Sequence, residues 1–193
     1  MRRRWFWPGS LLVIVLAGCA EPPNREMDQA QLSLDAARAA GAEQYATDEY
    51  RAAADALKRS REAVTHRDYR LALNTALDSR ERSQNAARLA ADTKARLRID
   101  IDRTMADLAT LLAGAHARLS AAEKARMPRR LLQRATTALA TVNADVQKAG
   151  EAANKGDYLS AQQALKDVRQ RIAAATAGIE PRAAAATGHR RAG

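Results

Sequence analysis

The sequence predicts an all-α protein of elongated antiparallel helical hairpins, similar to coiled coils and tetratricopeptide-type pairs, that share one long central helix. Three observations carry this. Alanine and leucine supply almost all the apolar content, and only 4% of residues are aromatic. From Met27 onward apolar residues recur at spacings of three and four, the period of a helix buried along one face. No glycine or proline occurs between positions 68 and 114, so nothing there breaks a helix. Such a composition suits narrow helices meeting along thin seams rather than a thick globular core.

The first segment, residues 1–18, has a different character. Arg2, Arg3 and Arg4 precede the apolar run from Leu11 to Ala17, and Leu16-Ala17-Gly18-Cys19 closes it. A basic region, a short apolar region and a small-residue site together read as a secretory signal. The run is far shorter than the roughly 20 residues of a spanning helix. Arg3-Arg4-Trp5-Phe6 is also similar in part to a twin-arginine signal. The residues Leu16, Ala17, Gly18 and Cys19 resemble a bacterial lipobox. That resemblance implies that Cys19 is acylated and becomes the first mature residue, so the covalent lipid is the only prosthetic group expected. Stable anchoring takes more than one chain, each buried CH₂ contributing about 0.8 kcal/mol. Ala20, which is not aspartate, implies by the same resemblance the outer membrane, facing the periplasm. Cys19 is the only cysteine, so no internal disulfide or cysteine-rich metal site is possible. Residues 19–26, with Pro22-Pro23, are expected to be a short stiff tether.

Removing residues 1–18 takes away three arginines and no acid, leaving 29 Lys+Arg against 22 Asp+Glu, a net +7. In a cytosolic protein this excess would suggest nucleic acid. Export excludes that partner and leaves lipid head groups, anionic cell wall (peptidoglycan) and acidic envelope proteins. Both tryptophans and the one phenylalanine leave with residues 1–18, which argues against base or sugar stacking.

The helices follow in order. Met27, Ala30, Leu34 and Ala37 mark a first helix ending near Gly41. Tyr50, Ala53, Leu57, Ser60 and Val64 mark a second, with Thr47 and Asp48 as candidate N-caps. The chain turns at His66-Arg67-Asp68, and Asp68 can cap the third helix. There Tyr69, Ala72, Ala76, Ser79, Ser83, Ala86 and Ala90 form one seam. Leu97, Ile101, Met105, Leu108, Leu112, Ala115, Leu119 and Ala122 form another, with a slip near positions 93–97 where the helix changes partners or bends. Met127-Pro128 ends it. Leu132, Ala135, Leu139, Val142, Val146 and Ala149 mark a fourth helix, and Gly156 and Asp157 supply a stop and a fresh cap. Ala161, Leu165, Val168, Ile172, Ala175 and Ile179 mark a fifth, broken by Pro181. Pairs Asp55/Arg59, Asp78/Arg82, Asp92/Arg96 and Asp167/Arg171 stand at i,i+4. The organisation expected is thus a hairpin segment over 27–92, a three-helix segment over 93–180 and a flexible basic tail over 181–193.

An internal repeat stands at an offset of 89 residues: Asp68/Asp157, Tyr69/Tyr158, Asp78/Asp167, Arg80/Arg169 and Arg82/Arg171 match. One hairpin used twice explains it, with the aspartate capping the second helix and the tyrosine packing under the turn. The segment 29–91 also resembles the short helical envelope lipoproteins grouped as domain of unknown function 4398. The resemblance rests on residues 36–42 (Ala-Ala-Arg-Ala-Ala-Gly-Ala), Tyr45-Ala46, Tyr50, Ala53, Leu57 and the hairpin Arg67-Asp68-Tyr69 with Ala72 and Ala76. It implies an envelope location and supplies no catalytic residues. It also implies glycine in the turn where this chain has Arg67; Gly156 keeps it in the second copy.

No catalytic or metal constellation is expected. His66, His116 and His189 lack ligand spacing, and no serine stands in a nucleophile elbow. One constellation remains: Lys124, Arg126, Arg129, Arg130 and Arg134 around the turn between the third and fourth helices. Alternating helix directions place this turn and the tail arginines Arg182, Arg190 and Arg191 farthest from the lipid, as a contact for an anionic wall component or an acidic partner. The function expected is a non-catalytic, membrane-anchored periplasmic scaffold or spacer. The alternative is an adaptor binding a partner helix along its seams, or cell wall through the basic turn.

Overall fold

The computed structural model describes residues 21–179, and among them every regular element is helical. The order is α1 (Asn24–Ala39), α2 (Ala42–Tyr45), α3 (Thr47–Thr65), α4 (Tyr69–Lys124), α5 (Arg129–Asn154), α6 (Tyr158–Leu165) and α7 (Val168–Thr176). The all-α expectation holds, as does the long helix: α4 runs 56 residues without interruption. The chain divides into two compact units, Met1–Ala87 and Arg88–Gly193.

Unit one packs α1, α2, α3 and the first part of α4. Its core is built from very small side chains. Ala30, Ala37, Ala42, Ala53, Ala56, Ala72, Ala76 and Ala86 are fully buried, and the larger buried groups are Leu34, Leu57, Tyr45 and Tyr50. Small residues let helix backbones approach closely, and two serines use that closeness. Ser60 of α3 donates its hydroxyl proton to the Ala72 carbonyl of α4 at 2.7 Å. Ser79 of α4 donates back to the Ala53 carbonyl of α3 at 2.8 Å. Buried hydroxyls need such partners, and this reciprocal pair fixes the register of α3 on α4. Arg38 of α1 donates to the Tyr50 hydroxyl at 2.8 Å and lies over its ring.

Unit two packs the later part of α4 against α5, α6 and α7. Its core is aliphatic, around Leu108, Leu139, Val142, Val168, Ile172 and Ile179. The serine positions of unit one are taken by Ala149 and Val168 at the 89-residue offset. Asp107 of α4 faces Arg169 of α7 at 3.4 Å. Arg171 donates to Asp145 of α5 at 2.6 Å.

The repeat extends further than the hairpin. At an offset of 85, Ala30, Leu34 and Ala37 of α1 match Ala115, Leu119 and Ala122 of α4, and all six are buried. From Ala46 and Ala135 onward the offset is 89, and Tyr50/Leu139, Ala53/Val142, Ala72/Ala161, Ala76/Leu165 and Ser83/Ile172 are buried in both copies. Each unit is therefore the same three-helix pattern, with α4 serving as third helix of the first and first helix of the second. On α4 no residue from 91 to 100 is buried, which is where the apolar spacing slips.

Several expectations are corrected. Helix α1 starts at Asn24, so Asn24, Arg25 and Glu26 belong to it rather than to a tether, with Pro23 at its N-cap. A separate single-turn helix, α2, stands between α1 and α3; one turn is too short to show a period. Thr47 does not cap α3. The N-cap is Ala46, and the Thr47 hydroxyl donates backwards to the Glu43 carbonyl at 3.0 Å. The fifth helix is two, α6 and α7, parted at Lys166 and Asp167. Its apolar spacing runs through the break, because periodicity reports the buried face and not each hydrogen bond. Of the i,i+4 pairs, Asp78/Arg82 forms at 2.9 Å. Arg59 instead reaches Asp78 at 3.8 Å, and Arg171 reaches Asp145.

Candidate functional site

The turns come first, because they place the charged residues. After α3, the Arg67 N–H donates to the Val64 carbonyl and the Asp68 N–H to the Ala63 carbonyl, both at 2.9 Å. After α5, Gly156 and Asp157 donate in the same way to Ala153 and Ala152, both at 2.9 Å. After α4, Arg126 and Met127 donate to Glu123 and Ala122 at 3.0 and 3.2 Å. All three are Schellman stops, whose C′ residue must be left-handed. Accordingly φ is 58° at Arg67, 53° at Arg126 and 80° at Gly156.

Two arginines thus stand where glycine fits best. The left-handed conformation costs a non-glycine residue about 1–2 kcal/mol, partly offset because glycine loses more chain entropy on folding. Arg67→Gly is therefore expected to raise stability by about 0.5–1 kcal/mol in urea unfolding, and Gly156→Ala to lower it by about 1 kcal/mol.

The expected aspartate caps are in place. The Asp68 carboxylate accepts from the Leu71 N–H at 3.0 Å and that of Asp157 from the Ser160 N–H at 3.1 Å. The Ser160 side chain and backbone hydrogen bonds hold the Asp157 carboxyl below its ordinary value of 3.8. A depressed folded-state value contributes stability that is present above the unfolded value and lost as pH falls through the folded one. Asp157→Asn, which caps without titrating, is expected to lose less thermal stability than the parent between pH 5 and 3. Tyr69 and Tyr158 are half-buried beside these turns, Tyr158 against the aliphatic core of unit two.

Around the α4–α5 turn, Lys124, Arg126, Arg129, Arg130 and Arg134 are all exposed. Lys124 closes α4, Arg126 is the left-handed residue, and Arg129 and Arg130 open α5. That helix has no acidic residue in its first turn and no side-chain N-cap. Acids are the residues that stabilise a helix N-terminus, so two arginines there add to the positive end of the dipole. Among the described residues none of the five cations has an ion-pair partner within 4.0 Å. The structure does not gather all five on one face. Arg129 lines a shallow groove with Glu123, Leu132 and Thr136. Arg134 lines a different one, of about 500 Å³, between α5 and α7.

This α5–α7 groove is the feature that the apolar spacing did not reveal. Leu131, Ala138, Val142, Ala174, Gly178 and Ile179 form its walls with Arg134 and Arg171. The signal was in the repeat: at the 89-residue offset Glu49, Asn85 and Leu89 correspond in sequence to the smaller Ala138, Ala174 and Gly178.

The remaining candidates stand apart. Leu16, Ala17, Gly18 and Cys19 lie outside the described residues, as do His189, Arg182, Arg190 and Arg191. His66 is exposed in the first turn, and His116 is exposed with its Nε2 at 3.3 Å from the Asn143 amide. Among the described residues no group of three His, Cys, Asp or Glu is placed to hold a metal ion, and no helix is long and apolar enough to cross a membrane. Comparison with family models, with curated proteins and with solved structures gives no match to this chain.

Proposed function

We propose that this protein is an exported bacterial lipoprotein, held to the outer membrane by lipid on Cys19 and exposed to the periplasm, where it serves without catalysis as a helical scaffold or spacer. The observation that carries the reading is Leu16-Ala17-Gly18-Cys19 at the end of a basic and then apolar segment. The likeness of residues 29–91 to the domain of unknown function 4398 lipoproteins agrees with it. Two copies of one three-helix unit, with cores of alanine, leucine and valine, suit a structural part. In this reading the sole non-protein group is the covalent lipid, and nucleic acid is not a partner. The test is Cys19→Ser in cells fed labelled fatty acid: label and membrane fractionation should both be lost, and an unchanged outcome refutes the anchor.

A second reading, an adaptor that contacts an acidic envelope protein or peptidoglycan, is favoured by the α4–α5 turn. Five exposed cations without ion-pair partners among the described residues, two of them against the positive end of α5, spend helix stability to hold a local positive potential. Arg126, Arg129 and Arg130 changed together to alanine should reduce sedimentation with purified cell wall, and the parent's binding should weaken with salt. Equal sedimentation of the two proteins refutes a role for the turn.

A further inference from the structure

We propose that the α3–α4 turn of unit one rests on the membrane surface, where Arg67 and Arg70 pair with phosphates of the lipid head groups. The inference rests on the lipoprotein reading above and deepens it: it names the end of the unit that meets the bilayer and the residues that do so.

Position carries the first part of the argument. Arg38 of α1 donates to the Tyr50 hydroxyl of α3, and Arg61 of α3 donates to the Gln31 amide oxygen of α1 at 2.7 Å. The two helices are therefore antiparallel, and that register, extended to Asn24, brings the start of α1 level with positions 64–68. The α3–α4 turn thus lies at the end of the unit where α1 begins. Asn24 comes five residues after Cys19, a reach of at most about 18 Å. A lipid on Cys19 holds this end of the unit at the bilayer, and the Gly41 end away from it.

The repeat supplies the second part. In unit two the first helix runs on past the corresponding turn: Arg98, Ile101 and Asp102 of α4 share a cleft with Asn154 and Tyr158, and Ile101 is buried. At the 85-residue offset Ile101 corresponds to Leu16, which the lipoprotein reading removes with residues 1–18. Cys19 itself corresponds to Thr104 of α4. In the repeat, lipid therefore replaces helix beside this turn.

The residues of the turn differ to match. Gly156 and Leu159 of unit two correspond to Arg67 and Arg70 in unit one, and Ser160 corresponds to Leu71. Arg67 and Arg70 are exposed, and among the described residues neither has an ion-pair partner within 4.0 Å. Arg67 holds a φ of 58° where glycine fits better, so an arginine is kept there at a cost to folding. Leu71 is 48% exposed beside the half-buried Tyr69. Arginine next to tyrosine and leucine suits a membrane interface, with charged heads at the phosphates and apolar parts below. The acids at this end are Glu21, Glu26 and Asp28 on the α1 side, Glu62, which stands 3.9 Å from Lys58, and Asp68, whose carboxylate accepts from the Leu71 N–H. The contact therefore falls to the turn and not to α1.

The test uses the lipidated full chain in vesicles of phosphatidylethanolamine and phosphatidylglycerol, with a fraction of the lipid carrying a nitroxide on its head group. Once acylated through sulfur, Cys19 offers no free thiol. His66→Cys and, in a second protein, Gln44→Cys therefore each take a single fluorophore. His66 is in the turn, and Gln44 is exposed in α2 beyond the other end of α1. Strong quenching at 66 and little at 44 is expected. Arg67→Gly with Arg70→Gln, added to the His66→Cys protein, should bring quenching at 66 down toward that at 44, because two arginine contacts shift the seating of the turn by more than about tenfold. Arg67→Gly is expected to raise stability, so quenching lost with unchanged circular dichroism is not unfolding. If the double variant misfolds, Arg70→Gln alone decides, with a smaller loss expected. Equal quenching at the two positions overturns the proposal. So does quenching at 66 that is indifferent to the arginines, since the tether alone then sets the distance. A chain not acylated at Cys19 overturns this contact together with the lipoprotein reading. An acylated, vesicle-bound chain that fails either comparison overturns the contact alone.

Discussion

Leu139→Ala is expected to lower the stability of the protein by about 2–5 kcal/mol, the range for removing a buried leucine side chain and leaving a cavity. Leu139 lies on α5 and is 1% exposed, within the cluster that holds Leu108, Val142 and Ile172. Those neighbours come from three different helices, so no single side chain can collapse into the gap. Against a total of about 5–15 kcal/mol, the loss is a large fraction of what keeps the chain folded. For a chain of this size it corresponds to a fall of roughly 4–20 °C in Tm. Leu32→Ala is the control: Leu32 is 69% exposed on α1, and its removal should cost under about 0.5 kcal/mol. Thermal and urea unfolding followed by circular dichroism measures both. Equal effects would contradict the placement of α5.

Ala76→Leu is expected to destabilise by about 1–3 kcal/mol, through overpacking rather than a cavity. Ala76 is fully buried on α4 in unit one. Nearby, the Ser60 and Ser79 hydroxyls bond to carbonyls of the facing helix, which requires close backbones. A leucine at position 76 pushes those helices apart and breaks both bonds. The equivalent residue in unit two is Leu165, 6% exposed, where the reverse change to alanine is expected to cost about 2–5 kcal/mol. One position of the repeat thus needs a small side chain in one copy and a large one in the other. If Ala76→Leu were neutral, the small-residue packing of unit one would be wrong.

Much of this fold was legible because helix burial repeats at 3.6 residues. The seam from Ala72 to Ala90, the seam from Ile101 to Ala122 and the slip between them correspond to burial on α4, with Tyr69 and Met105 half-buried; Leu97, expected to open the second seam, is likewise only half-buried. The Asp68 and Asp157 caps were legible because a short acid before an apolar period has few other uses. What stayed hidden is of a different kind. Thr47 has the composition of a cap, yet the chain arrives from α2 in a geometry that turns its hydroxyl backwards. The break at Lys166 leaves the apolar spacing intact. The serine pair reads as two more seam positions, since a sequence does not state how close two backbones come. The left-handed turn at Arg126 was hidden because no glycine announced it. The basic turn was legible as composition, but its division between two grooves follows from where α4 and α7 flank α5. The α5–α7 groove shows only when the copies are compared outside the buried seams, at Glu49/Ala138, Asn85/Ala174 and Leu89/Gly178, which are half-buried or exposed.

The tandem unit and the cationic turn bear on function through location: they meet envelope partners only if the chain is exported and held at a membrane. Mass spectrometry of the protein recovered from the membrane fraction of a lipoprotein-processing bacterium tests that most directly. The account predicts a chain that begins at Cys19 and carries the added mass of a diacylglyceryl group and an amide-linked acyl chain there. A mature protein that retains residues 1–18, or whose Cys19 is an unmodified thiol, would contradict it.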